Sequence, residues 1–198
     1  MHRVGFWSAV IVATAATAFD IAVLALQHLT APWDVVSALV PSLVLAPAFL
    51  ALLVSVHTAV PEERKIWTGL AVAFAAVYVP LTTSAYAVEL AVVQPLVMRG
   101  HADRVALLTL TRPDTILNAV DGLGYAFMSL AALFVALAFE GGRLEMWIRR
   151  LFLATGILAL PILATYFVDR GFIYVAGLWG ITVPSASILL AVYFRRRC

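Results

Sequence analysis

Four acidic residues, Asp20, Glu89, Asp121 and Asp169, lie inside or at the edge of long apolar segments. Ionisable groups at membrane depth are rare, and they usually face a partner or a polar cavity. No lysine, arginine or histidine lies at the depth of the first three acids within these segments. A buried carboxyl group without such a partner avoids its desolvation penalty by keeping its proton. A protonated acid near an ionised one can perform general acid–base chemistry, so Asp20, Glu89 and Asp121 are the predicted catalytic residues.

Polar and aromatic residues recur at helical spacing around these acids. Tyr78, Thr82 and Tyr86 are four residues apart in one segment, and Asp121 and Tyr125 are four apart in another, so each set shares a helix face. Hydrogen bonding between helices and interfacial aromatic belts would explain the uncharged members equally well. If the two faces meet, they line a cavity open to the outer surface, which suits a lipophilic amine or a developing carbocation. The predicted substrate-binding residues are Tyr78, Thr82, Tyr86, Asn118, Tyr125, Tyr166, Asp169, Tyr174 and Trp179.

Several other kinds of chemistry are excluded by what the sequence lacks. The single lysine, Lys65, lies in a charged loop, so a Schiff base within the apolar segments is excluded. The four histidines form no pair at helical spacing, and we expect neither a metal site nor a cofactor. A formal charge of +2 without a basic patch argues against nucleic-acid binding. The only cysteine, Cys198, cannot form an internal disulfide.

The elements that must position these residues are apolar blocks of membrane-spanning length. The chain of 198 residues is 64% hydrophobic and 12% charged, against about 25% charged residues in an average soluble domain. About twenty apolar residues in a helix cross the hydrocarbon core, and only helices or closed barrels satisfy the backbone there. The sequence therefore predicts an all-α, polytopic integral membrane protein, a single domain over 1–198 with six transmembrane helices. Their predicted ranges are 4–29, 35–59, 66–98, 115–140, 147–168 and 172–194.

The basic residues predict the orientation of this bundle. With both termini in the cytoplasm, nine arginines and lysines lie on the inner side and four on the outer side, which agrees with the positive-inside rule. The apolar run of the first block continues to Leu29, too far for a signal-peptide core, so we interpret it as an uncleaved first span. Prolines such as Pro80 and Pro161 are expected to kink their helices. Arginine-rich usage with one lysine favours a bacterial inner membrane as the location.

Three functions fit these features. The first is a membrane-embedded enzyme, for example a cyclase, an isomerase or an epoxide-opening enzyme, acting on a lipophilic small molecule. In size, helix number and its predicted acid–aromatic cavity, the chain resembles small membrane-embedded terpene cyclases. This resemblance is architectural and transfers no residue. The second is a proton-coupled transporter or a protein that binds lipophilic amines. The third is a scaffold subunit, because the small-residue pairs Ala132–Ala136 and Ala176–Gly180 permit close helix contact and homo-oligomers. The expected partners are the lipid bilayer and a hydrophobic small-molecule ligand.

Overall fold

The computed structural model describes residues 2–25, 28–167 and 170–197. Within these ranges the regular structure is entirely helical, which confirms the predicted all-α class. The helices are α1 (His2–Ala25), α2 (Trp33–Ala59), α3 (Lys65–Val88), α4 (Gln94–Met98), α5 (Ile116–Ala136), α6 (Arg143–Ile157), α7 (Ala159–Phe167), α8 (Ile173–Ala176) and α9 (Trp179–Arg195).

Five helical stretches are long and apolar enough to cross a membrane. They are His2–Ala25, Trp33–Ala59, Glu62–Met98, Ile116–Ala136 and Arg143–Thr165. The block predicted over 172–194 is instead divided into the four-residue α8 and the 17-residue α9. Gly177 lies in the turn between them, and a glycine inside a helix is disfavoured by its backbone freedom.

Prolines explain two further irregularities of the helices. A proline has no N–H for the carbonyl four residues earlier, and its ring clashes with that carbonyl. α6 ends at Ile157, which is four residues before Pro161, and α7 begins two residues later. A π-helical turn over Glu89–Val93 joins α3 to α4 just before Pro95. By contrast, α3 continues through Pro80 without a break.

The long helices form a closed ring. α1 packs against α2 and α9, α3 against α2 and α5, and α6 against α5 and α9. The arginine-rich half of the interior, near the predicted cytoplasmic end, is filled by fully buried apolar side chains such as Phe49, Leu52, Leu53, Phe139 and Phe152. The acids of the apolar segments, Asp20, Glu89 and Asp121, lie toward the other end.

Ion pairs join helix ends at the arginine-rich end of the ring. Arg64, before α3, contacts Glu140, after α5, with 2.8 Å between Nη2 and Oε2. Arg197, after α9, pairs with Glu145 of α6 at 3.4 Å, and its guanidinium lies 4.1 Å from the centre of the Tyr193 ring. These contacts fix the ends of four elements at the arginine-rich end.

Candidate functional site

Six of the residues singled out from the sequence meet inside the ring, where side chains of α3, α5 and α9 come together. We call them the tyrosine cluster. The members are Tyr78, Thr82 and Tyr86 of α3, Asp121 and Tyr125 of α5, and Trp179 of α9. Four-residue steps bring the α3 members onto one face of their helix and the α5 members onto one face of theirs. The two polar faces thus point at each other.

Direct contacts hold the cluster together. The Tyr86 and Tyr125 hydroxyl oxygens are 2.8 Å apart, within a hydrogen bond in which either can donate. The Tyr86 hydroxyl also lies near the Asp121 carboxyl group. The Tyr125 ring packs against Tyr78, with 6.2 Å between ring centres, and edge-on against Trp179, with 5.4 Å. The ring of Tyr125 is therefore the centre of a group of packed aromatic rings near the Asp121 carboxyl group.

Unpaired polar atoms distinguish this region from ordinary packing. Thr82 Oγ1, Asp121 Oδ1 and Trp179 Nε1 are buried and have no hydrogen-bond partner among the described residues. Ser129 Oγ, one helical turn beyond Tyr125, is in the same condition. Each unsatisfied buried group costs about 1–3 kcal/mol of stability, and such groups in native proteins usually meet a water, an ion or a ligand. The cluster therefore offers both donors and acceptors to a bound polar group.

A close approach of α3 and α5 positions the cluster. Gly124 is buried on α5, and a Cβ at this position would collide with Thr82 Oγ1. Because glycine has no side chain, the two helices meet here closely enough for Tyr86 and Tyr125 to bond. Gly122, next to Asp121, is also buried. The sequence Asp121-Gly122-Leu123-Gly124 thus supplies an acid followed by two buried positions without side chains.

Glu89, a predicted catalytic residue, contacts residues outside the tyrosine cluster. Its carboxylate is fully buried and accepts hydrogen bonds from Gln94 Nε2 at 2.8 Å, from Leu110 N at 2.8 Å and from Thr109 Oγ1 at 3.4 Å. Thr109 and Leu110 belong to the segment between α4 and α5, over 99–115, which we call the outer segment. Glu89 therefore fastens the outer segment to the π-helical turn, and the structure does not bring it into the tyrosine cluster.

Asn118, a predicted substrate-binding residue, also holds the outer segment. Its Nδ2 donates to the Leu110 carbonyl at 3.2 Å. Thr115 Oγ1 caps α5 by accepting from Asn118 N and donates to the Thr109 carbonyl at 2.6 Å. Val105 of the outer segment belongs to the same buried apolar group as Tyr86. The outer segment thus packs beside the tyrosine cluster at the predicted outer end.

Asp20, the third predicted catalytic residue, lies at the contact between α1 and α9. A Cβ at Gly180 would be 2.5 Å from Asp20 Oδ1, so the carboxyl group rests against the backbone of α9. Its neighbour Phe19 packs edge-on against Trp179, with 6.3 Å between ring centres. Asp20 is partly exposed. Because it meets α9 at Gly180, next to Trp179, it borders the cluster.

Three predicted residues remain, and the structure describes the side chain of one of them, Tyr174. Tyr174 of α8 is 85% exposed and lies away from the interior. Asp169 lies outside the described residues, and so does the side chain of Tyr166, although α7 includes its backbone. Among the described residues, no group of three or more His, Cys, Asp or Glu side chains could hold a metal ion.

Three residues outside the predicted site belong to this part of the structure. Ser129 continues the four-residue spacing of Asp121 and Tyr125, so the sequence pattern contains its signal. Gln94 and Thr109 bind Glu89, but neither stands at α-helical spacing from it. Their roles depend on the π-helical turn and on the fold of the outer segment.

Comparisons of the chain with protein-family models, with curated proteins and with solved structures found no match. The geometry of the tyrosine cluster therefore carries the functional proposal.

Proposed function

We propose that the chain is an integral protein of a bacterial inner membrane, with six spans and both termini in the cytoplasm. Five long apolar helices support this proposal, and α9 is an apolar helix of 17 residues that could form the sixth span with the residues before it. The excess of basic residues at one end agrees with that end being cytoplasmic.

The single cysteine allows this topology to be tested. A membrane-impermeant maleimide added to intact cells should leave Cys198 unlabelled and should label it after the cells are opened. His101→Cys in a Cys198→Ser background is the matched probe of the outer segment, and it should be labelled in intact cells. Labelling of Cys198 from outside would contradict the proposed orientation.

We further propose that the tyrosine cluster is the active site of an enzyme acting on a lipophilic small molecule. The observation that carries this proposal is the buried Asp121 Oδ1, which has no partner among the described residues although its carboxyl group lies beside the Tyr86 hydroxyl. A protein rarely maintains an unsatisfied buried acid without a use for it, because removing the acid would increase stability. The site supports a role for Asp121 as an acid and a base in turn.

The geometry favours isomerisation or cyclisation over hydrolysis. Protonated Asp121 would donate its proton to a neutral alkene or epoxide, and the faces of Tyr78, Tyr125 and Trp179 would stabilise the resulting cation. Return of a proton from the cation to the Asp121 carboxylate would give the product and regenerate the acid. This cycle needs one carboxyl group and no co-reactant, whereas hydrolysis would also consume a water. Asp20, beyond Trp179, would add a second negative charge near the cation, and Glu89 would remain a structural acid.

An untargeted turnover assay tests the enzyme proposal. The purified protein is incubated with the lipid extract of the host, and consumed and formed compounds are followed by mass spectrometry. Asp121→Asn should abolish the conversion, because an amide cannot donate the proton. Asp103→Asn removes a carboxyl group from the exposed outer segment and is the matched control, so it should keep full conversion. Equal conversion by wild type and Asp121→Asn would refute the proposed role of Asp121.

Binding or proton-coupled transport of a lipophilic cation is the second candidate. The observation in its favour is that one acid lies near a group of packed aromatic rings, and carboxylates and aromatic rings together bind organic cations. Tetraphenylphosphonium is a suitable probe. Saturable binding that is lost in Asp121→Asn, together with pH-driven uptake into liposomes and no conversion of the extract, would favour transport over enzymatic activity. The scaffold function receives less support, because Ala132 and Ala136 are fully buried within the chain.

A further inference from the structure

A groove of about 570 Å³ runs along the outside of the bundle between α1 and α9. Its walls include Phe6, Val10 and Thr17 of α1 and Ile188, Val192 and Arg195 of α9. The α1 residues from Phe6 to Ile21 that line it extend over about 22 Å at the helical rise. One leaflet contributes roughly 15 Å of hydrocarbon, so the groove is long enough for an extended acyl chain.

The cationic end of the groove is defined by a close contact between the two helices. A Cβ at Gly5 would lie 2.6 Å from the Phe194 ring, so the first turn of α1 adjoins the last turn of α9. Arg195 lines the groove at this end, and Arg3 precedes Phe6 by three residues on the same face of α1. Both arginines are exposed and have no ion pair or hydrogen bond within the part of the chain that the structure describes.

The other basic residues near this end are differently placed. Arg64 and Arg149 contact Glu140, and Arg197 contacts Glu145. Arg150 lies over the Trp147 ring at 5.2 Å. Arg143 and Arg196 also have no ion pair among the described residues, but neither lines the groove. Arg195 lines it and Arg3 lies one turn before Phe6, so these two arginines place uncompensated charge at one end of an otherwise apolar groove.

We propose that this groove binds an anionic phospholipid, with one acyl chain between α1 and α9 and the phosphate at Arg3 and Arg195. The charge at the groove end selects a lipid over a second copy of the chain, because a symmetric copy would bring like charges together. The Thr17 hydroxyl does not oppose an acyl chain here, since Thr17 Oγ1 already donates to the Ala13 carbonyl at 2.8 Å. The binding site rests on the proposed membrane location and is independent of the chemistry at Asp121.

Lipid retention in bilayer nanodiscs tests the site. The nanodiscs contain phosphatidylglycerol and phosphatidylcholine with identical acyl chains, and native mass spectrometry measures which lipid stays bound to the protein. Wild type should prefer phosphatidylglycerol. Arg3→Gln with Arg195→Gln should reduce the preference by about fivefold for each cation removed. Arg143→Gln with Arg150→Gln removes the same charge from α6 and should keep the preference.

A second variant tests the apolar part. Thr14 is exposed within the groove, and Thr14→Trp would fill it without changing charge. This variant should lose retention of both lipids while its helicity and melting temperature stay at wild-type values. Asp121→Asn should keep the lipid preference, which separates this proposal from the enzymatic one.

Three results would overturn the lipid site. The first is an unchanged preference in the Arg3 and Arg195 variant, and the second is an equal loss in the α6 control. The third is a wild-type dimer that Thr14→Trp converts to a monomer, because a second copy would then be the occupant.

Discussion

Two acids of this protein, the fully buried Glu89 and the partly buried Asp121, have opposite surroundings. Glu89 accepts hydrogen bonds from two side chains and one backbone N–H, so both of its oxygens are satisfied. Asp121 has a buried oxygen without a partner among the described residues, and its carboxyl group lies near the Tyr86 hydroxyl. A buried carboxylate with enough donors stabilises the fold around it, whereas one without them lowers stability. The same chemical group therefore serves structure at one position and is available for chemistry at the other.

The largest change in the free energy of unfolding is expected for a substitution of Glu89. Glu89→Ala should lower the free energy of unfolding by about 3–5 kcal/mol, because it leaves the Gln94 amide and the Leu110 N–H buried without an acceptor. Denaturant titration in detergent micelles measures this change. Glu63→Ala in the exposed turn before α3 is the control, with an expected change below about 0.5 kcal/mol. A Glu89→Ala variant as stable as the control would show that Glu89 has no structural role.

The close contact of α3 and α5 predicts the next effect. Gly124→Ala should destabilise the protein by about 1–3 kcal/mol, because its Cβ would overlap Thr82 Oγ1. Gly69→Ala on α3 is the matched control, since the nearest atom to its Cβ would be 3.9 Å away, and it should stabilise by up to about 1 kcal/mol.

A double variant tests whether the overlap with Thr82 is the cause. Thr82→Ala removes Oγ1, and the next atoms around the Gly124 Cβ position are 3.6 Å away. Combined with Gly124→Ala, it should restore most of the lost stability, and this pairwise coupling would be visible in a double-mutant cycle. Additive losses in the cycle would place the strain elsewhere.

The smallest stability effect is expected at Tyr86. Tyr86→Phe removes the hydroxyl that bonds Tyr125 and neighbours Asp121, at a cost of about 0.5–1.5 kcal/mol. The folded Tyr86→Phe protein should also convert the lipid extract more slowly than wild type, because Tyr86 orients the acid. Tyr193→Phe, in the apolar half near Arg197, should leave conversion unchanged. Equal effects of both variants on conversion would remove Tyr86 from the site.

Much of the fold and part of the site could be predicted from the sequence. Apolar length predicted the long helices, and four-residue spacing predicted which residues of α3 and of α5 share a face. The division of the last block into α8 and α9 was not predicted, because the apolar composition continues through Gly177. Hydropathy measures the burial of side chains and is insensitive to one glycine in the backbone.

The residues that each polar side chain contacts were harder to predict. Glu89 shares the spacing of Tyr86, yet its partners come from the outer segment, about twenty residues later. On α1, Thr14 and Thr17 line the exterior groove, although their three-residue steps lead to Asp20. Spacing determines which residues share a helix face, but only the packing of the other helices determines where that face points.

The free energy of unfolding of Asp121→Leu tests the central claim most directly. Leucine has nearly the shape of aspartate without the unsatisfied oxygen, so the variant should be more stable than wild type by about 1–2 kcal/mol. Such a gain would show that the protein maintains this acid at the expense of stability, as functional sites often do. A loss of stability of about 1 kcal/mol or more would contradict the account, because a loss is what removal of a satisfied acid such as Glu89 causes.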